Sequence, residues 1–462
     1  MTQNYNPTNE QLQRGFRVFY AARRTIQRYA QGGNLLIIVT LLAMIVANIP
    51  AINSYYFEFW TKEVHLQIGN FNLFSHGGEP MNLLQFINDA LMAIFFFTIG
   101  LEIKREVLVG ELSSIRQALL PIIAACGGMI VPVIIFSFLS QGTDYAHGSA
   151  IPMATDIAFS LGVLSMLGKR VPLSLKIFLT TLAVVDDLGG IIVIAAFYTT
   201  HINVTLLLIA LGLIVVLALG GVMQIQSKAF YFGLGGVVWY LFLNSGIHPT
   251  IAGVIVAFCV PAKPVFAPDK YIQMMRNAMK HLRTADDDCS SRTILNKERL
   301  NWLKQIESAS DKVISPLQDL EDTLHPLVNY LIIPLFAFAN AGILLLGLDP
   351  LTAVQGVSLA VICGLVVGKF VGIFLFSWLA IVLRIAPMPA LTNWNMMGAI
   401  SMLGGIGFTV SLFIATLSFN SVDLLNHAKL GIVIGSLLAG ILAFLWLSVA
   451  LPKAPADDEI YD

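Results

Sequence analysis

Three carboxylates and one amine stand where the surrounding sequence is too apolar to solvate them. Asp186 and Asp187 fall halfway along the run Leu173–Tyr198, Asp156 lies in Ser149–Gly168, and Lys369 is the fourteenth residue of Gly356–Leu383. A charge at the centre of a bilayer costs about 2.5–3.5 kcal/mol on insertion scales, so four facing lipid would cost roughly 10 kcal/mol. They must face one another or water. A single Asp–Lys pair reads as a structural salt bridge. Three carboxylates against one lysine leave negative charge over, and that surplus is what a proton-exchanging cation site requires. Neighbours such as Asp186 and Asp187 point about 100° apart around a helix. Asp186 is expected to turn to Lys369, the only basic residue at mid-depth, and Asp187 to an ion. Carboxylates and the Thr155 hydroxyl are hard oxygen ligands suited to a small alkali cation, so Na+ is expected at Asp186, Asp187 and Thr155. Carboxylates crowded away from water hold their protons to higher pH, while a buried lysine releases its proton more readily. Exchange of protons for a cation near neutral pH is then physically reasonable.

The chain that must position these groups has 462 residues, 56% of them hydrophobic and 12% charged. Its mean hydropathy is +0.77. Soluble domains carry about 25% charged residues, so half that share marks a membrane protein. A net charge of −1 offers nothing to nucleic acid, and no nucleic-acid partner is expected. The cysteines, Cys126, Cys259, Cys289 and Cys363, are scattered singly, with neither metal-ligand nor disulfide spacing. Arg14, Arg17, Arg23, Arg24 and Arg28 precede the first apolar run without a small-residue cleavage site. Residues 1–33 therefore read as a basic cytoplasmic tail.

A span needs about 20 apolar helical residues. Twelve segments qualify: Asn34–Ile49, Leu83–Val109, Ala118–Phe138, Ser149–Gly168, Leu173–Tyr198, Val204–Met223, Ala229–Asn244, His248–Ala262, Leu327–Leu346, Gly356–Leu383, Trp394–Phe419 and Lys429–Leu451. The fold class is thus an all-α polytopic membrane protein. Spans one to eight occupy 34–262, a charged inner loop 263–325, spans nine to twelve 326–451, and a tail 452–462. With the amino terminus inside, Lys62 and Lys429 are the only basic residues on the outer side; all but Lys369 of the others fall inside. The positive-inside rule then puts both termini in the cytoplasm. The outer loop Tyr55–Ser75 alternates and carries Gly-Asn, which suits a hairpin with strands near Glu63–Ile68 and Phe71–Phe74. An isolated hairpin is marginal, so pairing with a second copy is one reading and a plain surface loop the other. The inner loop alternates in charge and should be part helix, part disordered linker.

Two spans are interrupted. Pro152 and the polar Thr155–Asp156 pair break AIPMATDIAFSLG, and Gly404, Gly405 and Gly407 crowd SMLGGIGFTVSLF. Each lies in the middle of a triplet, spans three to five and ten to twelve, and the triplets run in opposite senses. That is an inverted repeat in topology, with broken helices crossing at the midplane. Asp156 would offset the positive half-helix ends and Lys369 the negative ones. In NDALMAIFFFTIGLEIKREVLVGE, Asp89 stands near the outer end of span two, and Glu102, Lys104, Arg105 and Glu106 at the inner end. Glu102 and Glu106 share a face. With Glu321, Asp322, His325 and, near the outer surface, His248, they form a candidate funnel or pH-responsive network. Interface anchoring and helix capping are the plainer roles for such residues.

The motifs NDALMAIFFFTIGLEIKRE, ATDIAFSLGVL, LKIFLTTLAVVDDLGGIIVIAAFY, GIHPTIAGVIV, HPLVNYLIIPLFAFANAG, GKFVGI and GGIGFTVSLFIA together resemble the NhaA-type sodium/proton antiporters, themselves an example of inverted-repeat transporters. The resemblance covers nearly the whole chain. It implies a cation-site pair at Asp186 and Asp187, a broken-helix Thr-Asp at Thr155 and Asp156, and a buried lysine at Lys369. It implies pH-response residues at Glu102, Arg105, His248, Glu321 and His325. It further implies electrogenic exchange of more protons than Na+ or Li+, no cofactor, a bacterial inner-membrane location, a role in pH and sodium homeostasis, and a homodimer joined partly by the outer hairpin. Asp322 stands where a histidine would be expected, and the inner loop before it is longer.

Two other classes compete. An intramembrane aspartyl protease needs two aspartates on separate helices sharing a proton. Lys369, the adjacent pair and the lack of GxGD argue against it. An organic-anion symporter of similar architecture would need more polar lining than this tight charge cluster offers. A secondary transporter, not an enzyme, is the expectation.

Overall fold

The computed structural model describes residues 33–65, 67–68, 71–72, 74–76, 79–199, 202–264, 268–284, 297–344 and 354–452. The expected tails, apart from Gly33 and Pro452, lie outside these. Among the described residues seven helices are long and apolar enough to cross a membrane: α3 (Leu83–Leu108), α4 (Ile115–Leu139), α6 (Leu173–Phe197), α7 (Val204–Val222), α12 (Pro316–Asn340), α13 (Val357–Val382) and α16 (Val422–Ala450). Three bent pairs bring the total to as many as ten. They are α1 (Gly33–Asn48) with α2 (Asn53–Thr61), a 3₁₀ segment Ala146–Met153 with α5 (Ile157–Met166), and α14 (Trp394–Leu403) with α15 (Phe408–Ser418). Between α7 and α12 stand α8 (Lys228–Ser245), α9 (Pro249–Cys259), α10 (Pro268–Thr284) and α11 (Lys297–Val313). The expected seventh and eighth spans correspond to α8 and to the short α9.

Three departures from the expectation stand out, the first two with a physical reason in the packing and capping. Tyr55–Thr61 is helical rather than loop. Tyr56 and Trp60 are buried there, the Tyr56 hydroxyl donates to the Phe338 carbonyl, and both rings meet Phe338 edge-on. An aromatic anchor with a polar tip suits this packing. Second, the helix expected to begin at Leu327 begins at Pro316, capped by Ser315 accepting from the Gln318 N–H at 3.3 Å. Its first turns, PLQDLEDTLH, are too polar for a hydropathy window. Hence Glu321 and His325 lie on a helix, not in the loop. Third, the segment between α2 and α3 has two small antiparallel pairs, β1 (Gln67–Ile68) with β2 (Phe71–Asn72) and β3 (Ser75–His76) with β4 (Glu79–Pro80), in place of the one longer hairpin expected.

Close crossings rest on small residues, as membrane packing favours. A Cβ on Gly372 of α13 would come within 2.2 Å of the Gly127 carbonyl of α4. The apolar core divides into two main clusters, with a small third of Ile343 and Leu430. The larger joins α1 to α6 and α12 to α16; the smaller gathers α7, α8 and α9 against another face of α3 and the start of α12.

Candidate cation site

The two interrupted helices meet at their breaks. Pro152 denies the chain a helical N–H, the backbone runs extended through Ala154 and Asp156, and α5 starts afresh with the Asp156 carboxylate accepting from the Phe159 N–H at 3.0 Å. Opposite, Gly404–Gly407 ends α14. The Asp156 N–H donates to the Ile406 carbonyl at 2.6 Å. The other Asp156 oxygen accepts from both the N–H (3.0 Å) and the hydroxyl (2.6 Å) of Thr409, on the first turn of α15. One carboxylate thus answers the orphan donors of two helix N-termini. At Gly407 a Cβ would meet the Ala154 carbonyl at 2.9 Å, so glycine lets the two breaks touch.

Asp186 and Asp187 are supplied by the unbroken α6, and neither is more than 3% exposed. Asp186 forms an ion pair with Lys369 and accepts from the Thr155 hydroxyl at 2.6 Å; Lys369 Nζ also lies 3.0 Å from Thr155 Oγ1. The Thr155 hydroxyl is also 2.9 Å from the Gly404 carbonyl. Lys369 follows a π-helical turn, Gly364–Gly368, of a kind that often marks functional sites. Lys369 therefore reaches the acid and Thr155, and no bond to a helix C-terminus is seen for it among the described residues.

Asp187 differs. Its Oδ1 has no hydrogen-bond partner among the described residues, and the side chain lines a cavity of about 360 Å³ together with Thr155, Asp156, Thr409, Glu102 and His325. Asp186 Oδ1 is also unpartnered, but Asp186 is not on that wall. Of the three expected Na+ ligands, Thr155 and Asp186 are bonded to each other and to Lys369, and Asp187 is the acid that lines the cavity. No group of three His, Cys, Asp or Glu side chains converges among the described residues as a multivalent metal cage would require.

These features coincide with a match to the family model described as Na+/H+ antiporter 1 over residues 23–447. The chain belongs to that antiporter family. It is 55% identical to the Na(+)/H(+) antiporter NhaA of Phocaeicola vulgatus over 440 residues, covering 95% of this chain and 98% of the relative. It is 55% identical to the NhaA of Bacteroides thetaiotaomicron, with 90% and 94% covered. To that of Porphyromonas gingivalis ATCC 33277 it is 46% identical, with 90% and 93% covered.

The other residues singled out in this antiporter fall into two groups. At the same end of α3 as Glu102, Arg105 pairs with Glu321 on α12 and, at 3.1 Å, with Glu106, whose second oxygen accepts from the Glu111 N–H at 3.2 Å. Glu102 and His325 line the cavity itself, with His325 3.0 Å from the Asn329 amide. At the opposite end of α3, Asp89 stands 3.7 Å from His248. His248 caps α9, contacts the Thr250 hydroxyl at 2.7 Å, and meets the Phe413 ring of α15 edge-on. Asp89 and His248 thus do not join the Arg105–Glu321 network. Two polar contributors escaped the sequence reading. Thr409 follows the Gly-rich break and was a legible polar residue. Buried Asn340 bonds Asn88 at 2.9 Å across two helices, and nothing in either motif signals that pairing.

Proposed function

We propose that this chain is an electrogenic Na+(Li+)/H+ antiporter in which a cation and protons compete for Asp187. The observation that carries this reading is Asp187, a buried acid with an unpartnered oxygen that lines the cavity together with Thr155, Asp156 and Thr409 of the crossed breaks. Its relatives bear the name Na(+)/H(+) antiporter. Asp187, Thr155 and freed carbonyls would coordinate the ion, and Asp186 would join when Lys369 releases it. A cation binds the carboxylate form only, so its entry into a protonated site releases the proton, the linkage that exchange needs.

We read the architecture as twelve spans with both termini in the cytoplasm of a bacterial inner membrane. Spans three to five and ten to twelve form the inverted repeat. The cavity, flanked by Glu102, Arg105, Glu321 and His325, would be the cytoplasmic entrance, and rocking of one helix cluster on the other would expose the site alternately. The outer β-pairs would join two copies in a homodimer, and the physiological role would be pH and sodium homeostasis. The test is proton movement in reconstituted vesicles with an imposed pH gradient. Sodium addition should collapse the gradient with wild-type protein. An unchanged gradient on adding Na+ or Li+ would overturn the assignment.

A further inference from the structure

The helical hairpin of α10 and α11 takes no part in the cation site, yet α10 has the make-up of a membrane-surface helix. Its 17 residues, PDKYIQMMRNAMKHLRT, carry Lys270, Arg276, Lys280 and Arg283 against one acid, Asp269. Ala278 is buried and Tyr271 and Met275 half-buried, a face at i, i+4 and i+7 that suits contact with α11. About 100° per residue sets Ile272 and Met279 on one neighbouring stripe, with Arg276 and Lys280 along its border. Ile272 is 48% and Met279 56% exposed. On α11, Leu300 and Leu303 are also exposed. An apolar stripe edged with cations is the pattern of helices that lie in the lipid interface.

The tether decides what can cover that stripe. The Leu317 N–H donates to the Pro261 carbonyl at 3.3 Å, so the chain leaves the bundle and re-enters it at one point. Residues 260–267 separate α9 from α10, and such a link reaches roughly 25–30 Å even when fully extended. Only Ile314 and Ser315 separate α11 from α12. The hairpin is held beside the surface where α9 ends and α12 starts. On the topology proposed above, that surface is the cytoplasmic leaflet, whose anionic lipids complement the basic border.

We propose that α10 seats on anionic lipid of the inner leaflet, with Ile272 and Met279 in the acyl boundary and Arg276 and Lys280 on the headgroups. The inference rests on the proposed topology. It is tested on full-length antiporter with Cys126, Cys259, Cys289 and Cys363 replaced by serine and one cysteine returned as Met279→Cys. The protein is placed in nanodiscs of phosphatidylcholine, with or without phosphatidylglycerol, and labelled with a water-soluble maleimide. Labelling should slow several-fold in the anionic discs, and R276Q/K280Q should restore it, since each cation near an anionic surface is worth about fivefold in binding. Met274→Cys, on another side of the helix, should label equally in both. Equal rates for Met279→Cys in the two lipids would overturn the proposal, as would protection that persists in R276Q/K280Q. Labelling of Met279→Cys from outside right-side-out cells would instead overturn the topology, a failure distinct from equal rates.

Discussion

A buried carboxylate oxygen without a partner is costly unless an ion or proton meets it, and Asp187 is such a group on a cavity wall. Asp187→Asn is expected to abolish sodium-driven proton movement while leaving a folded protein in the membrane. Normal exchange by that variant would remove Asp187 from the site. Asp186 is held by Lys369 and Thr155, and losing one partner of a buried pair costs about 3–5 kcal/mol. Lys369→Ala should therefore lower the melting temperature in detergent, and adding Asp186→Asn should recover part of the loss. Strictly additive losses in that double-mutant cycle would mean the two groups do not interact. The three acids and the lysine were legible because charges in apolar runs are rare. The pairing of Lys369 with Asp186 was legible too, since Lys369 is the only basic residue at mid-depth, and it is the pair the fold makes. The partner of Asp156 was not, since it depends on which neighbours each helix face meets, and only the packed chain sends Asp156 to Thr409.

At the scale of elements, the breaks were readable from Pro152 and the Gly404–Gly407 cluster, but their mutual contact was not. The Asp156 carboxylate holds two N-termini together through Phe159 and Thr409. Thr409→Val keeps the backbone bond and loses the hydroxyl bond. A hydrogen bond to a charged group contributes about 1.5–3 kcal/mol, so stability in a thermal melt should fall on that order, with Thr409→Ser largely retaining it. Gly407→Ala should also destabilise, by about 1–3 kcal/mol for overpacking, because the Ala154 carbonyl in its way is backbone. A melt unchanged by Gly407→Ala would mean the breaks are free to separate. The helix Asn53–Thr61 and the early start of α12 were hidden for one reason. Hydropathy averages penalise polar turns that tertiary contacts, such as Tyr56 on Phe338, make helical.

For the whole molecule, composition and charge placement are enough to indicate a multi-span helical protein. The two-cluster arrangement of the core needed the fold, because helix-on-helix contacts arise between residues hundreds of positions apart. The cavity lies among α1, α3, α5, α6, α12 and α15, with Glu102, His325 and Asp187 on its wall. If a cation and a proton share that carboxylate, then protonation removes the site and deprotonation creates it. The sign is fixed: below the range where Asp187 ionises, apparent sodium affinity must weaken as pH falls, by about tenfold per pH unit for one competing proton. The most direct measurement is the sodium KM of transport in reconstituted vesicles across the active pH range. The account predicts that KM rises steadily as pH falls while the rate at saturating sodium is largely retained. A KM independent of pH, with only the maximal rate changing, would contradict it.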